Sequence, residues 1–244
     1  MGLSVTVLGC SGTYPHAGGA CTGYLVQSER TNLWLDTGPG TLANLQQHLD
    51  LHDLHGIVLT HSHPDHWLDL PVLRNALRYV LDIDHVPIAG TDETHLLADA
   101  LCGGGLAPTF DWTTIHEDSA FEVGDLRCTF ARTDHPVETL AVRIEGDGRT
   151  LAFSADSGPR WSVESLGPGI DLALIEASLD DELEGKVQHL SGSQAGRMAR
   201  AAGCAKLVIT HVVPGADGEE HRRRAEAAFG AQVELAQLHA RYEV

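Results

Sequence analysis

The sequence contains little lysine, few aromatic residues and no long apolar run. Of the 244 residues, two are lysines, 5% are aromatic, and 16 basic residues stand against 34 acidic ones, which gives a formal net charge of −18. A surface this acidic repels phosphate backbones, so nucleic acid is not expected as a partner. No apolar run reaches the roughly 18 residues of a membrane span, and the first residues lack the features of a signal peptide. We therefore expect a cytoplasmic protein without a membrane partner.

Cysteine is also sparse, and its pattern excludes two kinds of site. The five cysteines are odd in number and scattered, and no two of them form a C-x-x-C pair. This pattern indicates neither a disulfide framework nor a cysteine zinc site, so we interpret all five as reduced thiols. Histidine is frequent by comparison, with 15 residues. Its frequency raises the question of a histidine metal site.

Strand-like and helix-like segments alternate along the chain without a linker or a low-complexity tract. Runs 23–28 and 32–36 flank a polar turn, which predicts a hairpin. Apolar spacing over 67–81 predicts a helix. Other predicted helices are 39–49, 92–101, 192–202 and 219–229, and other predicted strands are 3–9, 56–60, 86–89, 112–115, 126–131, 139–145, 150–154, 171–176, 206–210 and 232–236. The pattern predicts one domain, 1–244, of class α+β, with two mixed sheets covered by helices.

Three histidines and an aspartate lie close together directly after the predicted buried strand 56–60. The segment reads Thr-His-Ser-His-Pro-Asp-His over residues 60–66. In an extended chain alternate residues point the same way, so His61, His63 and Asp65 can face one point. His66 opens the next helix and can turn in beside them. Imidazole nitrogen and carboxylate oxygen suit divalent metals such as zinc.

This H-x-H-x-D-H motif after a strand resembles that of the metallo-β-lactamase superfamily. The family pattern also requires two further histidines and an aspartate at the ends of later strands, and this sequence has His135, Asp156 and His211 in that order. The resemblance covers Leu3 to about Val213. It implies an αβ/βα four-layer sandwich with a dinuclear metal site in the groove between the sheets.

The resemblance also assigns ligands to two divalent metal ions. We take the ions to be zinc, with Mn²⁺ and Fe²⁺ as alternatives. Two such ions lower the pKa of a shared water toward neutrality and neutralise charge on the reacting oxygens. Asp36 would orient a ligand histidine. The implied ligands are His61, His63 and His135 for the first ion, Asp65, His66 and His211 for the second, and Asp156 as the bridge.

Finer motifs resemble two branches of the superfamily. Residues 174–178 (LIEAS), the segment 189–196 and the final ligand are similar to the last third of the ribonuclease Z-like tRNA 3′-end processing endonucleases and their relatives. In that group a histidine 22 positions before the final ligand faces the scissile phosphate, and here 211 − 22 gives His189. His189 would then protonate the leaving oxygen or neutralise charge on the phosphoryl group. Alternatively, Ser191 caps the next helix and His189 is merely exposed.

Two departures argue against tRNA processing. The endonucleases carry a glutamate three residues before the bridging aspartate, where this chain has Phe153, and they carry a long basic arm that no segment here can supply. The opening pattern Gly-Cys-Ser-Gly-x-x-Pro of 9–15 and Thr-Gly-Tyr-Leu-Val of 22–26 resemble the cyclic nucleotide phosphodiesterase-like hydrolases. Tyr14 and His16 in the first loop are candidate pocket residues.

We therefore expect a phosphodiesterase that opens a small cyclic nucleotide, with Asp65 and His189 as catalytic residues. Hydrolysis of a lactone or acyl ester is the alternative, because it uses the same metals but has no obvious need for His189. A tRNA endonuclease is a weaker alternative. A non-catalytic metal module is disfavoured, because structural zinc needs neither a second metal nor an open position. The partner is a small-molecule substrate, and the sequence is also compatible with a homodimer.

Overall fold

Two seven-stranded mixed sheets form the centre of the structure, a computed structural model that describes residues 2–244. Sheet 1 contains β1 (Ser4–Gly9), β2 (Gly23–Gln27), β3 (Asn32–Leu35), β4 (Gly56–Val58), β5 (Val86–Gly90), β6 (Phe110–Thr114) and β14 (Arg241–Glu243). Sheet 2 contains β7 (Ala120–Val123), β8 (Leu126–Arg132), β9 (Leu140–Gly146), β10 (Arg149–Phe153), β11 (Leu172–Glu176), β12 (Lys206–Thr210) and β13 (Val233–Leu235).

The two sheets have the same internal arrangement of strands. Sheet 1 runs β14-β1-β2-β3-β4-β5-β6, and sheet 2 runs β13-β12-β11-β10-β9-β8-β7. In sheet 1 the pairs from β14 to β3 are antiparallel and those from β3 to β6 are parallel. In sheet 2 the pairs from β13 to β10 are parallel and those from β10 to β7 are antiparallel. Parallel strands end at a common edge, so residues that follow them are brought together.

Helices cover the outer face of each sheet. On sheet 1 they are α1 (Thr41–Leu45), α2 (Leu70–Ala76), which continues into a π-helical turn (Leu77–Leu81), and α3 (Asp92–Leu101), and on sheet 2 they are α4 (Gly192–Ala201) and α5 (Gly218–Phe229). None of the helices described is both long and apolar enough to cross a bilayer.

Alternation along the strands builds three apolar cores. Tyr24 and Val26 belong to the core between the two sheets, whereas Leu25 belongs to the core beneath the helices of sheet 1. A third core, which includes Ala195 and Phe229, lies beneath α4 and α5. Because successive strand residues point to opposite faces, one strand serves two cores. The layers are helix, sheet, sheet, helix, which confirms the predicted αβ/βα sandwich.

The structure differs from the predicted elements in three places. The predicted helix 39–49 is regular only over α1. The helix predicted from residue 67 begins at Leu70, because Pro64–His66 form a 3-10 turn first. Strands β7 and β14 were not predicted. Both are short edge strands whose residues alternate between buried and exposed, and such segments carry little apolar signal.

Candidate metal centre

All seven predicted ligands lie together at one edge of the two sheets. The segment 61–66 follows β4, and the remaining three ligands follow β8, β10 and β12. Their donor atoms form two adjacent sets, and within each set every atom lies within 4.8 Å of the others. The sets comprise His61, His63, His135 and Asp156 in the first case, and Asp65, His66 and His211 in the second.

The first donor set combines three imidazoles with one carboxylate. His63 Nδ1 lies 3.0 Å from His135 Nε2. Asp156 Oδ2 lies 3.7 Å from His61 Nε2 and 3.9 Å from His135 Nε2. Such spacings between donor atoms are those of ligands that surround one ion at bond lengths of about 2 Å.

The second donor set is equally close and shares Asp156 with the first. His211 Nε2 lies 3.4 Å from both His66 Nε2 and Asp65 Oδ2. The other oxygen of the shared carboxylate, Asp156 Oδ1, lies 3.2 Å from His66 Nε2 and 3.3 Å from His211 Nε2. The two oxygens of Asp156 therefore face different donor sets, which is the geometry of a bridging ligand.

Two orphaned atoms test whether this cluster fits a metal. His61 Nε2 and Asp156 Oδ1 are buried and have no hydrogen-bond partner. Buried polar atoms are almost always paired, so unpaired ones in one cluster indicate that another species completes it. Imidazole and carboxylate donors together suit zinc and similar divalent ions. The cluster is therefore suited to metal binding.

Hydrogen bonds from outside the cluster fix the orientation of the ligand rings. His66 Nδ1 donates to Asp36 Oδ2 at 2.7 Å, and Asp36 Oδ1 also accepts from the Thr60 amide at 2.8 Å. His135 Nδ1 donates to the Gln188 carbonyl at 3.2 Å. The bonds of the two ring Nδ1 atoms leave Nε2 of His66 and of His135 facing the centre, as is usual for metal-binding histidines. The structure thus brings Asp36 to the place proposed for it from the sequence.

Burial and mutual charge set the protonation of the cluster. Burial opposes a charge on His66, but the carboxylates of Asp156 and Asp36 outweigh it and hold the pKa of His66 well above its usual value. Burial likewise opposes ionisation of Asp156, but His211 and His66 outweigh it and hold the pKa of Asp156 well below its usual value. Burial and neighbouring His66 lower the pKa of His61. The carboxylate ligand is therefore ionised and His61 neutral, as metal binding requires, whereas His66 holds a proton that an ion must displace.

His189 borders the second donor set, because a donor nitrogen of its ring lies within 4.8 Å of donor atoms of Asp156 and His211. Its ring stacks on that of His211, with centroids 5.9 Å apart, and its Nδ1 donates to Glu176 Oε1 at 2.9 Å. Burial lowers the pKa of His189, but the charge and hydrogen bond of Glu176 outweigh burial and raise it to about 9. Ser191 does cap α4, yet His189 is not merely exposed: it is a cation directed at the cluster.

Glu176 is a site residue that the sequence reasoning missed. This fully buried carboxylate accepts three hydrogen bonds, from the Ser157 amide at 2.7 Å, from Ser178 Oγ at 2.6 Å and from His189. The sequence signal that could have identified Glu176 is a charged residue at the end of an otherwise apolar strand, β11, which is buried at every position. Phe153, which occupies the position of the glutamate in the endonucleases, packs against Tyr24 in the core between the sheets, with ring centroids 5.1 Å apart. The carboxylate that contacts His189 therefore comes from the end of β11.

The first loop borders the cluster, as the sequence suggested. The Thr13 amide donates to Asp65 Oδ2 at 2.8 Å. His16 lines a cavity of about 340 Å³ together with Ser11, Val212 and Pro214. Tyr14 is half exposed and donates to the Pro214 carbonyl at 3.3 Å.

The match to a family model agrees with this geometry. Residues 31–212 match the model described as "Beta-lactamase superfamily domain". The chain therefore belongs to the β-lactamase superfamily, and it is a metallo-hydrolase of that superfamily.

Relatives cover nearly the whole chain. It is 30% identical over 243 residues to "Probable metallo-hydrolase YhfI" of Bacillus subtilis, an alignment that spans 96% of this chain and 97% of YhfI. The YhfI structure superposes with a TM-score of 0.92 and covers 99% of both chains. A "Ribonuclease Z" of Mycobacterium bovis is 28% identical over 96% of this chain and 95% of its own. Yeast PDE1 shares the fold, with a TM-score of 0.75 over 99% of both chains at 14% identity.

Proposed function

We propose that this protein is a dinuclear metal-dependent phosphodiesterase that opens a small cyclic nucleotide, of the 3′,5′-cyclic AMP type, to the nucleoside monophosphate. The observation that carries the proposal is the ion pair between buried Glu176 and half-buried His189 beside the donor sets. Cleavage of a phosphodiester expels an alkoxide, which needs a proton, from a centre that carries negative charge. A histidine held as a cation supplies both needs.

Each donor set would hold one ion, and zinc, Mn²⁺ and Fe²⁺ all suit the donors. Ions bound there would supply Lewis-acid chemistry, lowering the pKa of a water and neutralising charge on the phosphoryl oxygens. Dinuclear sites of this kind also contain a carboxylate that both ions share, and here that carboxylate would be Asp156.

The chain's own residues have distinct roles in the proposed reaction. A bond forms between water oxygen and phosphorus while the bond from phosphorus to the 3′ oxygen breaks. His189 Nδ1 is engaged by Glu176, which leaves Nε2 as the atom that gives a proton to the leaving oxygen. Asp65 Oδ2 accepts from the Thr13 amide and lies 3.4 Å from His211 Nε2 in the second donor set, so Asp65 Oδ1 is the oxygen that accepts a hydrogen bond from the attacking water.

Charge and relatives support a small diester over a polynucleotide. The net charge of −18 disfavours a long polyanion, whereas a single phosphate meets mainly the local field of the ions. Ribonuclease Z, by its name, cleaves RNA, so a phosphodiester is an accessible substrate class for a relative with 28% identity. The cyclic mononucleotide is the compact member of that class.

The test is a substrate panel with the metal-reconstituted protein and with His189→Ala. We expect turnover of 3′,5′-cyclic AMP, with chromatography showing the nucleoside monophosphate. His189→Ala should keep its metal content and lose on the order of 10² to 10⁴ in kcat. The loss should be smaller for bis(p-nitrophenyl) phosphate, because p-nitrophenolate leaves without protonation. His52→Ala, which changes an exposed histidine paired with Asp50, is the matched control and should behave as the parent.

Rapid opening of a lactone or an acyl ester, with no turnover of any cyclic nucleotide, would move the protein to that alternative class. Cleavage of a precursor tRNA in preference to cyclic nucleotides would assign it to the endonucleases. Equal losses in His189→Ala for both diesters would remove the proton-donor role but leave the hydrolase class intact.

A further inference from the structure

An uncharged cavity lies between the first loop, residues 10–22, and the loop that follows β12. It measures about 340 Å³ and is lined mainly by apolar residues and glycines, together with Ser11, His16 and Thr210. Although 20% of the residues of the chain are charged, no aspartate, glutamate, lysine or arginine among residues 2–244 lines this cavity. Burial raises the pKa of Cys10, which also lines it, to about 11, so the thiol is neutral. The cavity therefore suits a neutral group rather than an anion.

The walls of the cavity are joined to the second donor set. Ser11 and Val212 form a parallel β-bridge, and the Gly12 amide donates to the Val212 carbonyl at 3.1 Å. Val212 directly follows the ligand His211. A Cβ at residue 12 would lie 2.7 Å from the His211 carbonyl oxygen, so the first loop approaches this ligand as closely as glycine permits. The cavity is thus held at a fixed position beside His211.

Tyr14 links the same donor set to the cavity by a second route. The Thr13 amide donates to Asp65 Oδ2, and the hydroxyl of the next residue, Tyr14, donates to the Pro214 carbonyl at 3.3 Å. Pro214 lines the cavity. One residue of the first loop therefore separates a carboxylate of the donor set from the cavity wall. A substrate whose phosphate lies at the donor sets reaches this cavity with a group that is joined to the phosphate through one sugar ring.

On the basis of the phosphodiesterase function proposed above, we infer that this cavity binds the nucleobase of the substrate and that His16, held by Ser11, contacts the edge of the base. A nucleobase is neutral and planar, with apolar faces and a polar edge. Ser11 Oγ lies 3.0 Å from His16 Nδ1, which leaves His16 Nε2 for a hydrogen bond to the base. The volume is near the lower end of the ~300–1,000 Å³ of small-molecule sites, so it fits one heterocycle.

A pair of substrates with and without a base tests the assignment. The metal-reconstituted protein is assayed with 3′,5′-cyclic AMP and with methyl ribofuranoside 3,5-cyclic phosphate, in which a methoxy group replaces adenine. His16→Ala and Ala216→Trp, which fills the cavity, should each lose roughly 10–100-fold in kcat/KM for cyclic AMP, the range for a lost pocket contact. Both should match the parent on the base-free substrate and keep its metal content and melting temperature. His52→Ala, at the exposed histidine paired with Asp50, is the control and should match the parent on both substrates.

Adenosine tests the cavity without turnover, because it has no phosphate to bind the ions. We expect adenosine at about 10 mM, a concentration above the Kd of an ordinary weak ligand, to shift the amide signals of segments 11–16 and 212–216 in ¹H–¹⁵N NMR spectra of the parent. Ala216→Trp should abolish these shifts, because the indole occupies the space of the base. His52→Ala should retain them.

Two results would overturn the base-binding site. One is equal kcat/KM of the parent for the two substrates, and the other is the absence of adenosine shifts in both segments. In either case, turnover of the base-free substrate leaves the hydrolysis of phosphodiesters in place. Turnover of neither substrate would refute the proposed function, and the adenosine shifts then decide the cavity alone. Shifts caused by an alkyl ester and not by adenosine would assign the cavity to the acyl chain of the alternative substrate class.

Discussion

At the scale of single residues, Glu176 connects the loops that carry three site residues. It binds the amide next to Asp156, the ring of His189 and, through Ser178, the ring of His211, whose Nδ1 lies 2.9 Å from Ser178 Oγ. A buried carboxylate without partners is costly, so these hydrogen bonds hold Glu176 and its partners in one arrangement. In the proposed reaction, the geometry around the leaving oxygen thus depends on Glu176, which acts through His189.

This arrangement predicts the effect of Glu176→Gln. Glutamine can still accept from His189, but the negative charge that raises the pKa of His189 is lost. A proton donor acts only while protonated, so activity falls as pH rises through its pKa, and a lower pKa moves that fall to lower pH. In a plot of kcat against pH, we expect the decline at high pH to begin at a lower pH in the variant, with KM less affected than kcat. Exposed Glu164→Gln is the control, and a decline that begins at the same pH in Glu176→Gln would refute the positioning role.

The metal ligands could be predicted from the sequence and Glu176 could not, for a physical reason. His61, His63 and Asp65 form a local pattern after a strand, and the later ligands follow strands in a known order. The partner of His189 depends instead on which strand lies beside it. In this chain that partner is Glu176 at the end of β11, and strand adjacency cannot be deduced from local spacing.

At the scale of elements, Asp125 joins the two sheets at the end opposite the metal centre. It lies in the turn between β7 and β8, and its carboxylate accepts from Ser28 and Thr31 at 2.5 Å each, and from Arg30 at 3.3 Å. Those three residues form the turn between β2 and β3. The hydroxyls of Ser28 and Thr31, assisted by Arg30, lower the pKa of Asp125 to about 2.

The pKa shift predicts a pH-dependent loss of stability in Asp125→Asn. A carboxyl with a lowered pKa in the folded state stabilises the fold above its unfolded pKa of about 3.9, and that contribution is lost as pH falls through the folded value. We expect the variant to unfold at lower denaturant concentration at pH 7, with the difference shrinking between about pH 4 and pH 2. Exposed Glu117→Gln should show no such trend. A difference that is constant with pH would contradict the assignment.

The helices whose ends carry capping residues were predicted most closely. Helix α4 begins at the Ser191 cap, and α5 runs from the Asp217 cap to Gly230, whose φ of 84° only glycine adopts readily. Strands β7 and β14 carry no comparable signal. They exist because a neighbouring strand pairs with them, which is a tertiary effect.

For the whole molecule, the metal centre is a set of crosslinks between distant segments. Ions that bind only the folded chain stabilise it by an amount that grows with the ratio of free ion to Kd. Removal of metal should lower the melting temperature by on the order of 10 °C.

Elemental analysis after reconstitution should give two ions per chain, and His211→Ala should weaken the second site while leaving the first. At most one ion in the unmodified protein would contradict a dinuclear centre.

The separation of the ligands along the chain bears on how the protein is made. Asp65 and His211 are 146 positions apart, yet their donor atoms lie 3.4 Å apart in the finished fold. Chains emerge from the ribosome N-terminus first, at about 5–20 residues per second, so the histidines of segment 61–66 wait for roughly seven to thirty seconds before β12 is synthesised. During that interval they are chelating side chains without their partners. The complete set of seven donors therefore exists only late in biosynthesis, after β12 and His211 have been synthesised and have folded beside segment 61–66.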